Sequence, residues 1–177
     1  QRKDAGLVLL WQYKSSAKFD TTTVKREVKI MKCKCAECPT HACYTSGVNC
    51  TEMSVEQVKT VYTEEEVKIM KAAAYVEATF YSNICRLQET AEFAKAMGYK
   101  KLGMSFCLGL NEEARYIAKY FTNEGFEFYS ACCKCCSVPK KEFDLKQLNP
   151  DKEHEAMCNP KYQARFLEDK GVELYIS

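Results

Sequence analysis

The pattern of apolar and polar positions in the second half of the chain predicts strands and helices in regular alternation. Residues 101–107, 126–131 and 172–176 are short apolar runs, typical of buried strands. The segments 112–123 and 160–170 between them have helical character, and each is followed by a glycine that can cap a helix. Asn111 is the predicted N-cap of the first. With right-handed crossovers, this order predicts an α/β fold with a small parallel, Rossmann-like sheet.

Helical signals also fill the segment before these strands. Ser54 with Gln57, and Thr63 with Glu66, have the spacing of capping boxes. They predict one helix ending near residue 62 and a second ending near residue 81. A third predicted helix covers residues 86–97, with Gly98 as its C-terminal cap. Parallel sheets are normally covered on both faces, so we expect these helices to provide one cover.

The N-terminal part of the chain has a different character. Residues 6–13 and 21–31 have strand-like patterns, which predict a hairpin or a loosely held tail. Because the chain begins with Gln1, we interpret residues 1–30 as an N-terminal extension, non-native if Met31 is the natural start. Residues 31–53 are rich in cysteine and predict a knuckle without regular structure. Residues 54–177 form the helical segment and the α/β domain, which we expect to be truncated after its third strand.

Composition narrows the class of protein. The 177 residues are 46% hydrophobic and 28% charged, which is typical of a globular protein and excludes a disordered chain, a collagen and a coiled coil. No apolar run approaches the roughly 20 residues that a membrane span needs. The formal net charge of +2 gives no general case for nucleic-acid binding. We therefore expect neither a membrane nor a nucleic acid as partner.

The 12 cysteines are the most informative feature of the composition. No convincing signal peptide precedes them, and long helical stretches are unusual in a small disulfide scaffold. We therefore expect reduced thiols in a cytoplasmic protein, where clustered cysteines commonly bind metal or take part in redox chemistry.

The first cysteine cluster lies in the predicted knuckle. Cys35 and Cys38 are two residues apart, which lets both thiolates reach one metal, and Cys43 and Cys50 follow. Tetrahedral zinc and cubane iron–sulfur clusters each use four such ligands, so spacing alone does not choose between them. His41 could replace one thiolate, although an exposed loop histidine is the simpler interpretation.

The second cluster depends on the predicted fold. Ligand sites in open parallel sheets form at the carboxyl ends of the strands. Three cysteine-bearing segments should meet there: the end of the first strand, the end of the second, and the start of the last helix. A helix N-terminus would also stabilise a thiolate. The cysteines concerned are Cys107, Cys132, Cys133, Cys135, Cys136 and Cys158.

Two other functions fit parts of this pattern. Cys132 with Cys135, and Cys133 with Cys136, have the C-x-x-C spacing of thiol–disulfide oxidoreductases, so an enzyme acting through the 132–136 region is one alternative. A zinc-knuckle interaction module that uses the basic N-terminal region is another. Cys85, in the helical segment, is interpreted as a lone core thiol.

Four motifs in order carry a resemblance to a known family. They are MKCKCAEC at 31–38, GYKKLGMSFCLGL at 98–110, SACCKCC at 130–136 and EAMCNP at 155–160. The chain resembles a cysteine-rich family of bacteria and archaea that is catalogued as a domain of unknown function and described as predicted metal-binding. The resemblance covers residues 31–177. It does not extend to residues 1–30, and the family's Gly-Leu-Cys-Val-Gly-His-type segment beyond the third strand is missing here.

The resemblance implies two groups of metal ligands. The first is Cys35, Cys38, Cys43 and Cys50, and the second is Cys107, Cys132, Cys133, Cys136 and Cys158. Cys33, Cys135 and His41 are candidate additional ligands. The sequence therefore predicts a metal-binding protein with a zinc or iron–sulfur site, a redox or metal-handling role and a redox protein as partner. The number of thiols in the second group favours an iron–sulfur cluster there, and no reaction is assigned.

Overall fold

The computed structural model describes residues 35–51 and 53–177. The predicted strands at 6–13 and 21–31, and Cys33 in the first cluster, lie outside the described residues. The chain divides into two compact units. One contains the described residues up to Lys68, and the other contains Ile69–Ser177.

The smaller unit holds the cysteine-rich knuckle, and the prediction that it lacks regular structure is wrong in detail. Cys35–Glu37 forms a 3-10 turn, and Ala42–Thr45 forms the short helix α1. The Cys38 N–H donates to Cys35 O at 3.1 Å, and the Thr45 N–H donates to His41 O at 3.1 Å. Such turns satisfy their backbone groups locally and need no apolar core to form.

Both predicted capping boxes are present. The Gln57 N–H donates to Ser54 Oγ at 3.2 Å, and the Ser54 N–H donates to Gln57 Oε1 at 2.8 Å. Thr63 and Glu66 make the same reciprocal pair of bonds at 3.2 and 2.8 Å. These bonds satisfy backbone donors that have no partner inside the helix. They open α2 (Val55–Lys59) and α3 (Glu64–Phe80).

The larger unit has the predicted α/β architecture. Its three parallel strands are β1 (Lys101–Phe106), β2 (Glu127–Cys132) and β3 (Leu174–Ile176). They lie in the order β2-β1-β3, with β1 paired to both neighbours. Helices flank the sheet, as expected for parallel strands that must be covered. The elements that follow α3 are α4 (Arg86–Met97), β1 (Lys101–Phe106), α5 (Asn111–Asn123), β2 (Glu127–Cys132), α6 (Pro160–Asp169) and β3 (Leu174–Ile176). Among the residues that the structure describes, no helix is both long enough and apolar enough to cross a bilayer.

Two details at helix starts differ from the sequence-based expectations. Asn111 is the first residue of α5 and not its cap, because a 3-10 turn at Leu108–Leu110 leads directly into the helix. Cys85 is exposed and is not a core thiol. It is the N-cap residue of α4, where its N–H donates to Gln88 Oε1 at 3.0 Å.

The two faces of the sheet are covered differently. Leu102 and Met104 face a core that also contains buried side chains of α3, α4 and α5. Gly103 points to the opposite face, where a Cβ atom would lie 2.8 Å from Val172 Cγ2 and 3.0 Å from Leu167 Cδ2. The absence of a side chain at Gly103 therefore lets α6 and the segment after it approach β1 closely.

We expect Glu173 to make stability depend on pH. Its carboxylate accepts the N–H groups of Lys100 and Lys101 at 2.7 and 2.9 Å, which holds the pKa of Glu173 below its ordinary value. The stabilisation is therefore complete above the unfolded pKa of about 4.3 and is lost as the pH falls through the lower, folded value. At pH 7, Glu173→Gln should lower the free energy of unfolding by about 1 kcal/mol, a figure reduced for solvent exposure.

Urea denaturation at pH 7 and at pH 3 measures this effect. The difference between wild type and Glu173→Gln should be smaller at pH 3 than at pH 7, since the stabilisation by the carboxylate is lost as the pH falls through its lowered pKa. Glu153→Gln, at an exposed loop carboxylate, is the control and should change the unfolding free energy little at either pH. A Glu173→Gln penalty that stays constant between the two pH values would contradict the role of the ionised carboxylate.

Candidate functional site

Strand register separates the adjacent residues Cys132 and Cys133. Phe106 of β1 pairs with Cys132 of β2, and Phe106 packs against the core on the α5 face. Because side chains alternate along a strand, Cys132 is on this face, whereas Cys133, one position later, contacts the segment that leads into α6. Cys107 directly follows the end of β1, beside Cys133. The Leu108 N–H, which follows Cys107 directly, donates to Cys133 Sγ at 3.4 Å. The ends of β1 and β2 therefore bring Cys107 and Cys133 together.

Cys133 is the most enclosed thiol of this edge, with 8% of its surface exposed. Its N–H donates to Phe106 O at 2.9 Å, and its carbonyl accepts the Asn159 N–H at 2.8 Å. Burial raises the pKa of the Cys133 thiol, the Leu108 N–H opposes that shift, and the neighbouring thiols of Cys158 and Cys107 add to it. Three sulfurs from three segments therefore influence one another on the α6 face.

Cys158 reaches this group from the start of α6. It precedes Asn159, the N-cap residue, whose Oδ1 accepts the Tyr162 N–H at 3.2 Å. The Lys134 ammonium lies 3.5 Å from Cys158 Sγ and donates to Ala156 O at 2.8 Å. We call Cys107, Cys133 and Cys158 the α6-face thiols.

The remaining cysteines of this edge lie in the 132–136 segment, where Cys135 Sγ is 4.0 Å from Asn159 O at the start of α6. Burial raises the pKa of the Cys135 thiol, and the nearby thiols of Cys136 and Cys132 raise it further. Cys136 has the left-handed backbone angle φ of 69°, which breaks the turn at Cys135–Ser137. The ligand group of five that the family resemblance implies stays a prediction, and Cys135 also reaches the segment that carries Cys158.

Gln163 of α6 forms hydrogen bonds to the ends of β1 and β2. It is 5% exposed, and its Nε2 donates to Ala131 O at 2.8 Å and to Phe106 O at 3.2 Å. These carbonyls belong to the last residues of β2 and β1 before the cysteines. The side chain therefore fixes the strand ends that carry Cys133 and Cys107.

We expect Gln163→Leu to lower the free energy of unfolding by about 1–3 kcal/mol, because it leaves the buried carbonyl of Ala131 without this donor. Urea denaturation measures the loss, and faster hydrogen exchange at the Cys133 amide would localise it. Gln147→Leu is a matched control, since Gln147 Nε2 also donates to two carbonyls, Asn149 O and Lys152 O, but in an exposed loop. Equal losses in both variants would contradict the special role of Gln163.

In the knuckle, hydrogen bonds to the sulfur distinguish the thiol of Cys38. Backbone N–H groups of Thr40 and His41 point at its sulfur, which lowers the pKa of the Cys38 thiol, and His41 N lies 3.3 Å from Sγ. Cys35 is joined to Cys38 through the 3-10 turn, and Cys43 lies in α1. Cys50 donates its S–H to Val48 O at 3.5 Å. Cys35, Cys43 and Cys50 are exposed, so the knuckle is an open arrangement.

Across the described ranges, no group of three or more His, Cys, Asp or Glu side chains has the arrangement of a metal site. The α6-face thiols lie near one another, but their side chains do not have the arrangement of ligands around one metal ion. The prediction that they bind metal therefore stays a prediction.

Two residues of this site do not stand out in the sequence. Lys134 looks like a spacer between pairs of cysteines, and Gln163 looks like an ordinary polar residue of a helix. Their roles depend on contacts with Cys158 and with the strand carbonyls, which lie far away along the chain. One signal was available for Gln163, since it occupies the same face of α6 as the buried Leu167.

Comparisons with known proteins identify a family and a relative. A family model described as "Protein of unknown function (DUF1847)" matches residues 43–177. An uncharacterized protein of Methanocaldococcus jannaschii is 44% identical over 144 residues, which cover 81% of this chain and 73% of that protein. No solved structure matches the chain.

Proposed function

The chain belongs to the DUF1847 family of proteins of unknown function, and we propose that it binds a metal ion or an iron–sulfur cluster through the α6-face thiols. The observation that carries this proposal is the convergence of Cys107, Cys133 and Cys158 on one side of the sheet edge. The cysteine-rich nature of the chain, with 12 cysteines in 177 residues, supports the same function.

The chemistry of the donor set suits a thiophilic metal. Each of the three thiols comes from a different segment, so only the folded chain assembles them. Lys134 beside Cys158 offsets the negative charge that several thiolates accumulate around one metal. Cys107 and Cys158 are exposed, whereas the enclosed Cys133 has its backbone fixed at both its N–H and its carbonyl.

The number of thiols that bind the group would decide between zinc and an iron–sulfur cluster. Catalytic zinc sites have three protein ligands and keep a fourth position for water or substrate, whereas an iron–sulfur cubane is usually held by four cysteines. The protein would hold the ligands in place through the hydrogen bonds of Gln163 to the strand ends, and the ammonium of Lys134 would lie beside the bound group. The knuckle would supply a second thiolate site centred on Cys38, in which Cys35 shares the C-x-x-C turn.

A reducing compartment fits the same proposal. All eleven cysteines among the described residues are free thiols, as metal ligation in a cytoplasm requires. We propose a cytoplasmic protein that handles metal or electrons. If the bound group is an iron–sulfur cluster, the partner is a redox protein that exchanges electrons with it.

A second candidate function rests on the 132–136 segment. Cys132 and Cys135 have the C-x-x-C spacing of a thiol–disulfide oxidoreductase, and the thiols of Cys136 and Cys132 are near enough to Cys135 to raise its pKa. In that case Cys132→Ser, Cys135→Ser or both should abolish reduction of an insulin disulfide. Cys133→Ser should leave this activity in place.

Analysis of metal and acid-labile sulfide, on protein purified without oxygen, tests the main proposal. At least about one zinc per chain and a colourless solution would support a zinc protein. Iron and sulfide in comparable amounts, with visible absorption, would support an iron–sulfur protein. A chain that contains no metal after anaerobic purification and does not take up zinc or ferrous iron would overturn the proposal.

A further inference from the structure

Two of the α6-face thiols come from segments that are paired along their backbones. The Asn159 N–H, which follows Cys158 directly, donates to Cys133 O at 2.8 Å. Further into the loop, the Met157 N–H donates to Val138 O, also at 2.8 Å. The two segments therefore lie side by side, although they are far apart in the sequence, and the backbone of Cys158 is held beside that of Cys133.

The loop between these two cysteines is also held near its base. The Lys140 ammonium lies 2.5 Å from a Glu155 carboxylate oxygen, and neither side chain is more than 22% exposed. The Lys140 N–H donates to Glu155 O at 2.9 Å, and the Glu155 carboxylate accepts the Leu148 N–H at 2.9 Å. The arrangement of the loop therefore does not depend on a bond between the two sulfurs.

The side chains of Cys133 and Cys158 are neighbours as well. Cys158 raises the pKa of Cys133 through a side-chain hydrogen bond and through its charge, whereas Cys107 acts through its charge alone. Disulfides join Cα atoms about 4.4–6.8 Å apart, and backbone pairing brings facing residues to about this separation. Cys158 is exposed, whereas Cys133 is enclosed. The pair thus combines one accessible thiol with one protected thiol.

We propose that Cys133 and Cys158 are a redox-active pair, which a small disulfide oxidises reversibly to an intramolecular disulfide bond. The exposed Cys158 thiolate attacks one sulfur of the small disulfide, releases one thiolate and forms a mixed disulfide. The Cys133 thiolate then attacks Cys158 Sγ and releases the second thiolate. The protein loses two electrons and the small disulfide gains them, while the two thiol protons pass to the released thiolates.

This oxidation would regulate the candidate metal site. Zinc in such sites is bound by thiolates, and a disulfide bond removes that form of both sulfurs. Only Cys107 of the α6-face thiols remains, so a bound metal ion leaves, and the released thiolates then take their protons from the solvent. Only this release rests on the proposed metal-binding function, since formation of the disulfide requires no metal.

Oxidation with glutathione disulfide, followed by alkylation and tryptic peptide mapping, tests the proposal. We expect peptides 120–134 and 153–161 to be joined by a bond that dithiothreitol cleaves. The first peptide contains both Cys132 and Cys133, so variants must separate them. Cys133→Ser and Cys158→Ser should each lower the yield of the joined peptides at least tenfold. Cys132→Ser, the matched control, should keep the yield within twofold of wild type.

Two further measurements keep the test independent of how the variants fold. Fragment ions that separate Cys132 from Cys133 identify the linked residue in the wild-type peptide itself. Oxidation in urea removes the constraint of the fold and should abolish the preference for Cys133. Absence of the linkage in the folded wild type, or an undiminished yield in folded Cys133→Ser, would overturn the proposal.

A chelating dye that reports free zinc separates this proposal from the metal-binding function. We expect about one zinc to be released for each disulfide formed in zinc-loaded protein. A linkage that forms in a chain unable to take up metal would leave the thiol pair standing and overturn the metal site. Zinc-loaded protein that forms no linkage, even after a chelator has removed the zinc, would do the reverse. Zinc that stays bound after complete linkage would overturn the regulation of the site.

Discussion

Replacement of Cys133 with serine is expected to remove about one metal equivalent, or the whole cluster, from the sheet edge. Cys133 is the enclosed member of the α6-face thiols, and its backbone is fixed at both ends by hydrogen bonds. A serine hydroxyl does not replace a thiolate ligand, since zinc in such sites depends on deprotonated sulfur. Metal analysis of protein purified without oxygen, before and after incubation with a chelator, measures the loss.

The adjacent residue provides a matched control. Cys132→Ser makes the same chemical change one position earlier, but register places Cys132 on the α5 face with Phe106. We expect this variant to keep its metal. Equal losses from both variants would show that one site uses both thiols, contrary to strand alternation. If neither variant lost metal, the α6-face thiols would not be ligands, and Cys38→Ser would then show whether the knuckle holds the metal.

The fold was readily predictable because its signals are local. Capping boxes at Ser54 and Thr63, glycine at the end of α4, and three apolar runs identify helices and strands without knowledge of distant contacts. Element order then limits the sheet to parallel strands. Errors occurred where a local signal was ambiguous. Asn111 has the residue type of a cap, yet the preceding 3-10 turn moves the helix start by one residue.

The site was predictable only in part. Sequence order and the strand-end rule place six cysteines at one edge, and this follows from topology alone. Which of them share a face depends on the register between β1 and β2, and no short-range pattern gives that register. A shift of one residue would exchange the faces of Cys132 and Cys133 relative to β1. The contacts of Lys134 and Gln163 likewise exist only after α6 has packed against the sheet.

The stability of the scaffold should depend most strongly on Phe121. This residue of α5 has no exposed surface; its ring stacks on Phe128 at 5.3 Å and meets Phe126 edge-on at 6.0 Å. Phe121→Ala removes these contacts and leaves a cavity that rigid strands cannot fill, so we expect a loss of about 3–5 kcal/mol in the free energy of unfolding. Thermal and urea unfolding, with a melting temperature lower by roughly 10 °C, measure it.

Tyr116→Ala, at a 66% exposed aromatic of the same helix, should cost less than about 1 kcal/mol. Phe126 and Phe128 lie at the opposite end of β2 from the cysteines, so Phe121→Ala should retain its metal below the lowered melting temperature. Loss of metal from the folded variant would mean that the aromatic packing and the thiol edge are coupled.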